Sequence, residues 1–429
     1  MTATLLPDTI KRAMADMETK LARRPDLAIL FRNCFPNTLN TTASLKADGT
    51  TFVFTGDIPA MWLRDSSAQV HQYLPFAKED PQVRRIFEGL IRRQAGLILK
   101  DPYANAFNEL PNNAGFPEDV TEQNPWVWER KYEVDSLCYP VRLAWEYWKQ
   151  TGISAIFDAD FHKALQVIMN LWSREQKHGE ASDYTFQRFG SLPSDTLKYA
   201  GQGRPVNHTG MTWSGFRPSD DACTFGYLIP ANMFAVVVLR CIAEIAEICL
   251  ADNPLAEKAL VLANEIDDGI HTYGIYSHPV YGDIYAYETD GFGNYNLMDD
   301  ANVPSLLSIP YMGYAPADDP VYLNTRRFIL SRDNPHHHEG KHAEGIGSPH
   351  TPPGHIWPIA LSMQGLTATD DDEILKVVDM LAASDAGTGF MHESFHPDHP
   401  ANFTRDWFAW SNSLFSELIL KKIDLIAPK

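Results

Sequence analysis

Apolar residues along this chain recur at steps of three and four far more often than they alternate. Between Gln82 and Lys100, Val83, Ile86, Phe87, Leu90, Ile91, Leu97 and Ile98 fall on one stripe, which predicts a helix with one buried face. Ala235, Val238, Leu239, Ile242, Ile245, Ala246 and Cys249 repeat that rhythm. Similar patterns predict helices over Pro7–Arg23, Ser66–Phe76, Glu133–Gln150, Ile156–Lys177, Leu255–His271 and Asn302–Met312. Further helices are predicted over Pro320–Ser331, Gly354–Leu366, Asp372–Ala383 and Arg405–Ile423. Strand-like alternation is confined to short pieces, Thr50–Thr55 and Tyr184–Phe189.

About a dozen helices of ordinary length leave much of the 429 residues for connections. Three connections stand out: Asp101–Trp128, Gly201–Asp221 and Arg332–His355, rich in Pro, Asn, Gly, His and aromatic residues. Long ordered loops tend to carry function. No Ser/Gly linker, charge block or repeat divides the chain. The expectation is a single all-α domain over residues 1–429, with its long loops gathered on one face.

A hydrophobic fraction of 44% supplies enough apolar surface for a large core. The 36 Lys+Arg against 55 Asp+Glu give a net charge of −19, which repels phosphate backbones and argues against a nucleic-acid partner. The five cysteines are odd in number and form no CxxC pair, and Cys241 and Cys249, in an apolar helical stretch, read as small core residues. The N-terminal segment is amphipathic, carries Asp and Glu, and has no continuous apolar region, so no secretory signal is expected. The most apolar run, Leu228–Leu239, contains Pro230 and Asn232 and ends at Arg240, which argues against a membrane span. A soluble, cytoplasmic protein is the resulting expectation.

The loops repeatedly combine carboxylates with Trp, Tyr, Arg and Asn, a mixture suited to a sugar. Pyranose C–H faces pack on aromatic rings, while hydroxyls bond to charged and amide groups. Cleaving a glycosidic bond then needs two carboxyls, one protonating the leaving oxygen and one acting from the other side. Candidates lie in three segments. In Thr55–Val70, Asp57, Trp62, Arg64 and Asp65 cluster, and Asp65 or Ser66 is equally suited to capping a helix. In Trp213–Phe225, Arg217 precedes the acidic pair Asp220-Asp221, which either raises the pKa of one member or caps the next helix. In Gly387–His396, Glu393 is a positioned base or an ordinary loop glutamate, followed by Arg405, Trp410 and Asn412.

A fourth segment, His338-Glu339-Gly340-Lys341-His342, matches HExxH letter for letter. On a helix its histidines would share a face and bind zinc. Gly340 between the two, Pro335 before them and Gly345 and Gly347 after them favour a polar loop, so no metal or other cofactor is expected.

Taken together, Gly56-Asp-Ile-Pro-Ala-Met-Trp-Leu-Arg-Asp-Ser66, Arg217-Pro-Ser-Asp-Asp-Ala222, Gly345-Ile-Gly-Ser-Pro-His-Thr351, Met391-His-Glu-Ser-Phe395 and Thr404-Arg-Asp-Trp-Phe-Ala-Trp-Ser-Asn412 are specific. They resemble the exo-α-1,6-mannosidases of glycoside hydrolase family 125, in order, from about residue 25 to the C-terminus. The resemblance implies an (α/α)6 barrel and a metal-independent, inverting release of non-reducing terminal α-1,6-linked mannose from oligosaccharides. By motif it implies Asp220 as general acid and Glu393 as general base. Inversion needs room for water, so these carboxyls are expected roughly 6.5–9.5 Å apart. Arg64, Asp65 and His350 are expected to hold the terminal mannose, with Asp57, Arg217, Asp221 and Asn412 nearby. Trp62, Trp213 and Trp410 are the expected stacking surfaces. Another linkage or a phosphorylase on the same fold, or a glycan binder without catalysis, are the alternative readings.

Overall fold

The structure, a computed structural model, describes residues 6–428. In chain order the helices begin with α1 (Asp8–Lys20), α2 (Pro25–Cys34) and the short α3 (Asn37–Thr41). Next come α4 (Leu63–Ala68), α5 (Pro81–Ile98), α6 (Val134–Thr151), α7 (Ala159–Glu175) and the single turn α8 (His178–Ala181). The second half carries α9 (Ile229–Ile248), α10 (Asn253–Tyr273), α11 (Ile309–Met312) and α12 (Pro320–Ile329). It ends with α13 (Pro358–Thr367), α14 (Asp371–Ala382) and α15 (Ala409–Ile426).

Two kinds of helix start alternate. α5, α7, α10, α12 and α14 each follow an aspartate (Asp80, Asp158, Asp252, Asp319, Asp370) whose carboxylate accepts a first-turn N–H. Such a cap contributes about 1 kcal/mol. α4, α6, α9, α13 and α15 have no side-chain cap, and the residues before them, Trp62, Glu133, Leu228, Trp357 and Phe408, are buried. These uncapped starts run straight out of the long loops, which is what brings the loops to one place. α6 packs on α4 and α9, α9 on α10, and α13 on α14 and α15. Buried apolar side chains from Ile10 to Ile426 join in one continuous core.

The strands are short, antiparallel and confined to the connections. Met61–Trp62, Ala106–Phe107 and Val127–Glu129 form one sheet, and Ser394–His396 pairs with His399–Thr404 in a hairpin. The fold is therefore helix-rich with small sheets at the helix starts.

Several boundaries differ from the sequence reading. The expected Ser66–Phe76 helix is α4 followed by a 3-10 turn, His71–Phe76, that contains Pro75. Asp65 and Ser66 lie inside α4 rather than capping it. Asp220 and Asp221 cap nothing, because α9 starts only at Ile229. Pro230 sits in the first turn of α9, where its missing N–H costs nothing, so it starts the helix instead of breaking it. Asn232 is satisfied there by Thr212 and by the Leu228 carbonyl. α9 is long and apolar enough to cross a membrane, and most of its side chains are buried against the rest of the protein. The expected Asn302–Met312 helix shrinks to α11, since buried Asp299 takes the N–H groups of Leu306 and Leu307 at 2.8 and 3.0 Å. Thr51–Val53 is a strand pairing with Ala43–Leu45, whereas Tyr184–Phe189 makes only a Gln187–Val120 bridge. The reading of the N-terminal segment rests partly on residues 1–5, which lie outside the described residues.

Candidate active site

The three-stranded sheet sets Trp62 opposite Ala106, and the Leu63 N–H donates to the Asn105 carbonyl at 3.0 Å. That pairing delivers Arg64 and Asp65, in the first turn of α4, to the first turn of α6. There the Arg64 guanidinium meets Glu133 Oε2 at 2.6 Å and Asp135 Oδ2 at 3.1 Å. Its other end reaches Asp220 Oδ1 at 3.2 Å and Asp65 Oδ2 at 3.6 Å.

Asp220 stands at the tip of a tight loop. Phe216 and Ala222 pair across it, the Arg217 N–H donates to the Asp221 carbonyl, and the Asp220 N–H donates to the Arg217 carbonyl. The tip places Asp220 at φ 68°, a left-handed conformation that Asp tolerates better than most residues. Lys131 Nζ locks it by donating to the Asp220 carbonyl at 2.7 Å and to Asp195 at 2.9 Å.

Glu393 comes from the opposite end of the chain. Ser394 pairs with Thr404, so Glu393 and Arg405 flank the same end of the hairpin. Arg405, held at φ 56°, brings Nε within 3.1 Å of Glu393 Oε1 and Nη1 within 2.7 Å of Asp57. The Met391 N–H donates to Asn412 Oδ1 on α15 at 2.9 Å, which ties this segment to a core helix.

These loops enclose a cavity of about 400 Å³ lined by Trp62, Arg64, Asp65, Asp220, His350 and Glu393, together with Asn302, Trp357, Arg405, Phe408 and Trp410. The indole N–H of Trp62 is buried and has no acceptor among the described residues. Burial pushes Asp65 up to about 6, with Arg64 pulling the other way. Burial opposes the charge on His350, yet Asp221 at 3.4 Å, with Asp220 and Glu393 beyond, raises it to about 9. Burial also works against the charge on Asp220, but Arg64, Glu133, Lys131 and His350 together hold it well below the usual carboxylate range. Its partner Glu133 is pushed well above that range by burial, which Arg64 only partly offsets.

Three expected sugar-contacting residues lie elsewhere. Trp213 is buried away from this cavity, stacked on His178 with ring centroids 3.5 Å apart, and Gly203 and Gly226 crowd against its ring. Arg217 pairs with buried Glu288 at 2.7 Å and faces a neighbouring groove. Asn412 is buried and acts on the Met391 backbone. Asp57 is at the exposed rim, and Asp221 stands behind His350. The HExxH letters do not form a helix: His337–Glu339 is a strand paired with Glu344–Ile346, and a side chain at Gly340 would strike the Pro397 backbone. Among the described residues no group of His, Cys, Asp and Glu is arranged to hold a metal ion.

Sequence reasoning missed Glu133, Asp135, Asn105 and Lys131. A signal existed for two of them: Glu133 and Asp135 are the only acidic residues opening an otherwise apolar run, Val134, Leu137, Cys138 and Val141.

A cavity with tryptophan walls, and with carboxyls delivered on separate loops, is the equipment of a hydrolase acting on a sugar ring. The comparisons carry this further. Residues 24–420 match the family described as metal-independent alpha-mannosidase (GH125), and the chain belongs to that family of glycoside hydrolases. It is 49% identical, with a TM-score of 0.94, to a Streptococcus pneumoniae metal-independent α-mannosidase solved as a non-productive complex with α-1,6-mannobiose; the match covers 97% of this chain and 98% of that one. It is 42% identical to the meiotically up-regulated gene 157 protein of Schizosaccharomyces pombe, over 97% of this chain and 86% of that protein. A likeness at 13% identity and TM-score 0.55 to a family 78 rhamnosidase of Bacillus sp. GL1, over 92% of this chain and 34% of that one, concerns the fold alone.

Proposed function

We propose that this α-mannosidase releases the non-reducing terminal α-1,6-linked mannose of oligosaccharides or N-glycan fragments with inversion, using Asp220 as general acid and Glu393 as general base. The observation that carries the reading is that Asp220 and Glu393, 173 positions apart in sequence, line one cavity together with Trp62, Trp410 and His350. Asp220 delivers a proton to the glycosidic oxygen as its bond to C1 breaks. Glu393 takes a proton from the water that attacks the opposite face of C1. Arg405 fixes the base carboxylate by gripping Oε1, leaving Oε2 for that water. The donors Trp62 Nε1, Arg64 and protonated His350 suit the hydroxyls of the terminal ring, and Trp410 and Trp357 suit its C–H face. A phosphorolytic variant is disfavoured, since Arg64, Lys131 and Arg405 are already paired with carboxylates.

An (α/α)6 barrel, formed by one catalytic domain, is the matching reading of the fold. It is supported by a run of neighbours, α4, α6, α9, α11, α13 and α15, in which each helix touches the next and α15 returns to α4. A cytoplasmic location is the matching reading of the five free cysteines.

The test is proton NMR of α-1,6-mannobiose hydrolysis in EDTA. β-Mannose is expected first, with kcat lowered at least about 100-fold in Asp220→Asn and in Glu393→Gln. Early α-mannose, or full activity in either variant, overturns the mechanism.

A further inference from the structure

Carboxyl groups outnumber cations where Asp220 sits. Arg64 alone faces Glu133, Asp135, Asp220 and Asp65. Lys131 is occupied by Asp195 and lies 3.6 Å from Glu129. His350 is engaged by Asp221. With Lys131 and His350 each already matched to a carboxylate of its own, Arg64 cannot offset all four in a buried site, so a proton is held among them.

Burial decides where. The Glu133 side chain is 0% exposed, whereas that of Asp220 is 25% exposed and opens into the cavity. Glu133 Oε2 is saturated by Arg64 at 2.6 Å and by the Ser136 hydroxyl at 2.7 Å. Its other oxygen, Oε1, shares a donor with Asp220: the Asn105 amide nitrogen lies 3.4 Å from Glu133 Oε1, 3.3 Å from Asp220 Oδ1 and 3.0 Å from Glu129 Oε2. Of the remaining ionisable neighbours, Glu129 is itself paired with Arg188 at 2.9 Å, and Cys223 adds no positive charge. Asp220 as a general acid thus has a difficulty of its own, because the cations around it favour the ionised form.

We infer that Glu133 is the positioning residue that supplies Asp220 with its proton. This rests on the acid role of Asp220 proposed above. At rest Glu133 is a carboxylic acid whose O–H donates to ionised Asp220. As the mannoside covers Asp220 and excludes water, the Glu133 O–H bond breaks and an Asp220 O–H bond forms. Asp220 then gives that proton to the glycosidic oxygen, which leaves C1 with the bonding electron pair. Water adds to C1 and loses its proton to Glu393. The turnover ends with Glu133 and Asp220 ionised and Glu393 protonated; Glu393 releases its proton to solvent, and Glu133 regains one from it.

The test compares kcat–pH profiles for α-1,6-mannobiose in wild type, Glu133→Gln, Glu133→Asp and Asp220→Asn. Glu133→Gln keeps the shape and the Arg64 contact but has no proton to give. Its kcat is expected to fall about 100-fold at neutral pH, with KM little changed. Its rate should climb as pH falls through the range where wild type is flat, and Glu133→Asp should recover part of the neutral rate. A Glu133→Gln profile of wild-type shape, whether at full height or uniformly reduced, overturns the inference. Should these variants not fold, neutron diffraction of the wild-type protein decides: a deuteron between Glu133 and Asp220 is expected, and a bare Glu133 overturns it. An active Asp220→Asn instead sinks the acid assignment on which the inference rests.

Discussion

At the scale of single residues, the site works by setting neighbouring charges against one another. His350 shows the sign most directly. Its raised pKa, about 9, keeps the ring protonated through neutral pH, so the donor it would offer a sugar hydroxyl under the proposed function is lost only as pH rises through about 9. KM for mannobiose is therefore expected to rise several-fold above pH 9 in wild type and to be flat there in His350→Gln. A flat wild-type KM would remove His350 from the binding set. Trp62, Arg64, Asp65 and Glu393 were legible in sequence because aromatic and charged residues crowd together there. Asn105 was not, since it gains its meaning only from a carboxyl more than 80 positions away, and Glu133 shows in sequence only as an acidic residue opening an apolar run. Trp213 shows the converse: an aromatic in the right company that packs the core behind the loop.

At the scale of elements, periodicity located most helices and brought many starts to within a residue or two, but not the loop pairings that set the uncapped starts, and those hold the site. The five aspartate-capped starts carry a local signal, two of them the pair Asp-Pro (Asp80-Pro81 and Asp319-Pro320). The uncapped starts depend on buried loops and small sheets, which no local pattern encodes. α2 escaped the reading too, because Leu27–Phe31 is a continuous apolar run that shows no three- or four-residue step. The hairpin bearing Glu393 relies on Asn412 of α15 to hold the Met391 N–H. Asn412→Ala leaves that buried donor without a partner, which costs about 1–3 kcal/mol. Urea unfolding is expected to register this loss, together with a lower kcat as Glu393 loses its aim. An unchanged midpoint would show that the hairpin is secured by other contacts.

At the scale of the molecule, a second charged cluster draws α6, α11, α15 and the 3-10 turn together away from the catalytic loops. His71 lies 2.8 Å from Glu146 and 3.0 Å from Glu417, with Arg142 on Glu146, Lys421 on Glu417 and the Tyr311 hydroxyl on Glu417. Burial opposes the charge on His71, but the two glutamates raise it from 6.5 to about 9. Its stabilisation is complete below about 6.5 and is lost as pH rises through about 9. Glu146 runs the other way: burial raises it, Arg142 and His71 lower it further to about 2, and its contribution is complete above 4.5. The cluster is thus strongest between about 4.5 and 6.5. Calorimetry is expected to find wild type more stable than His71→Gln by up to about 3–5 kcal/mol in that window, the gap closing above pH 9. A gap independent of pH would mean that His71 acts by shape alone.

Trp410 has a further consequence. It is a wall of the catalytic cavity and also of an inner one, of about 380 Å³, that ends at His71 and Glu146. Buried beside Arg64, it stands as a wall between the two. On the exo reading proposed above, with that wall in place, a released mannose leaves by the mouth through which the glycan came. The shortened chain must back out first, so the enzyme cannot ratchet along one polymer. Digestion of a long α-1,6-mannan should accordingly pass through a broad spread of intermediate lengths, every chain trimmed a little before any is consumed.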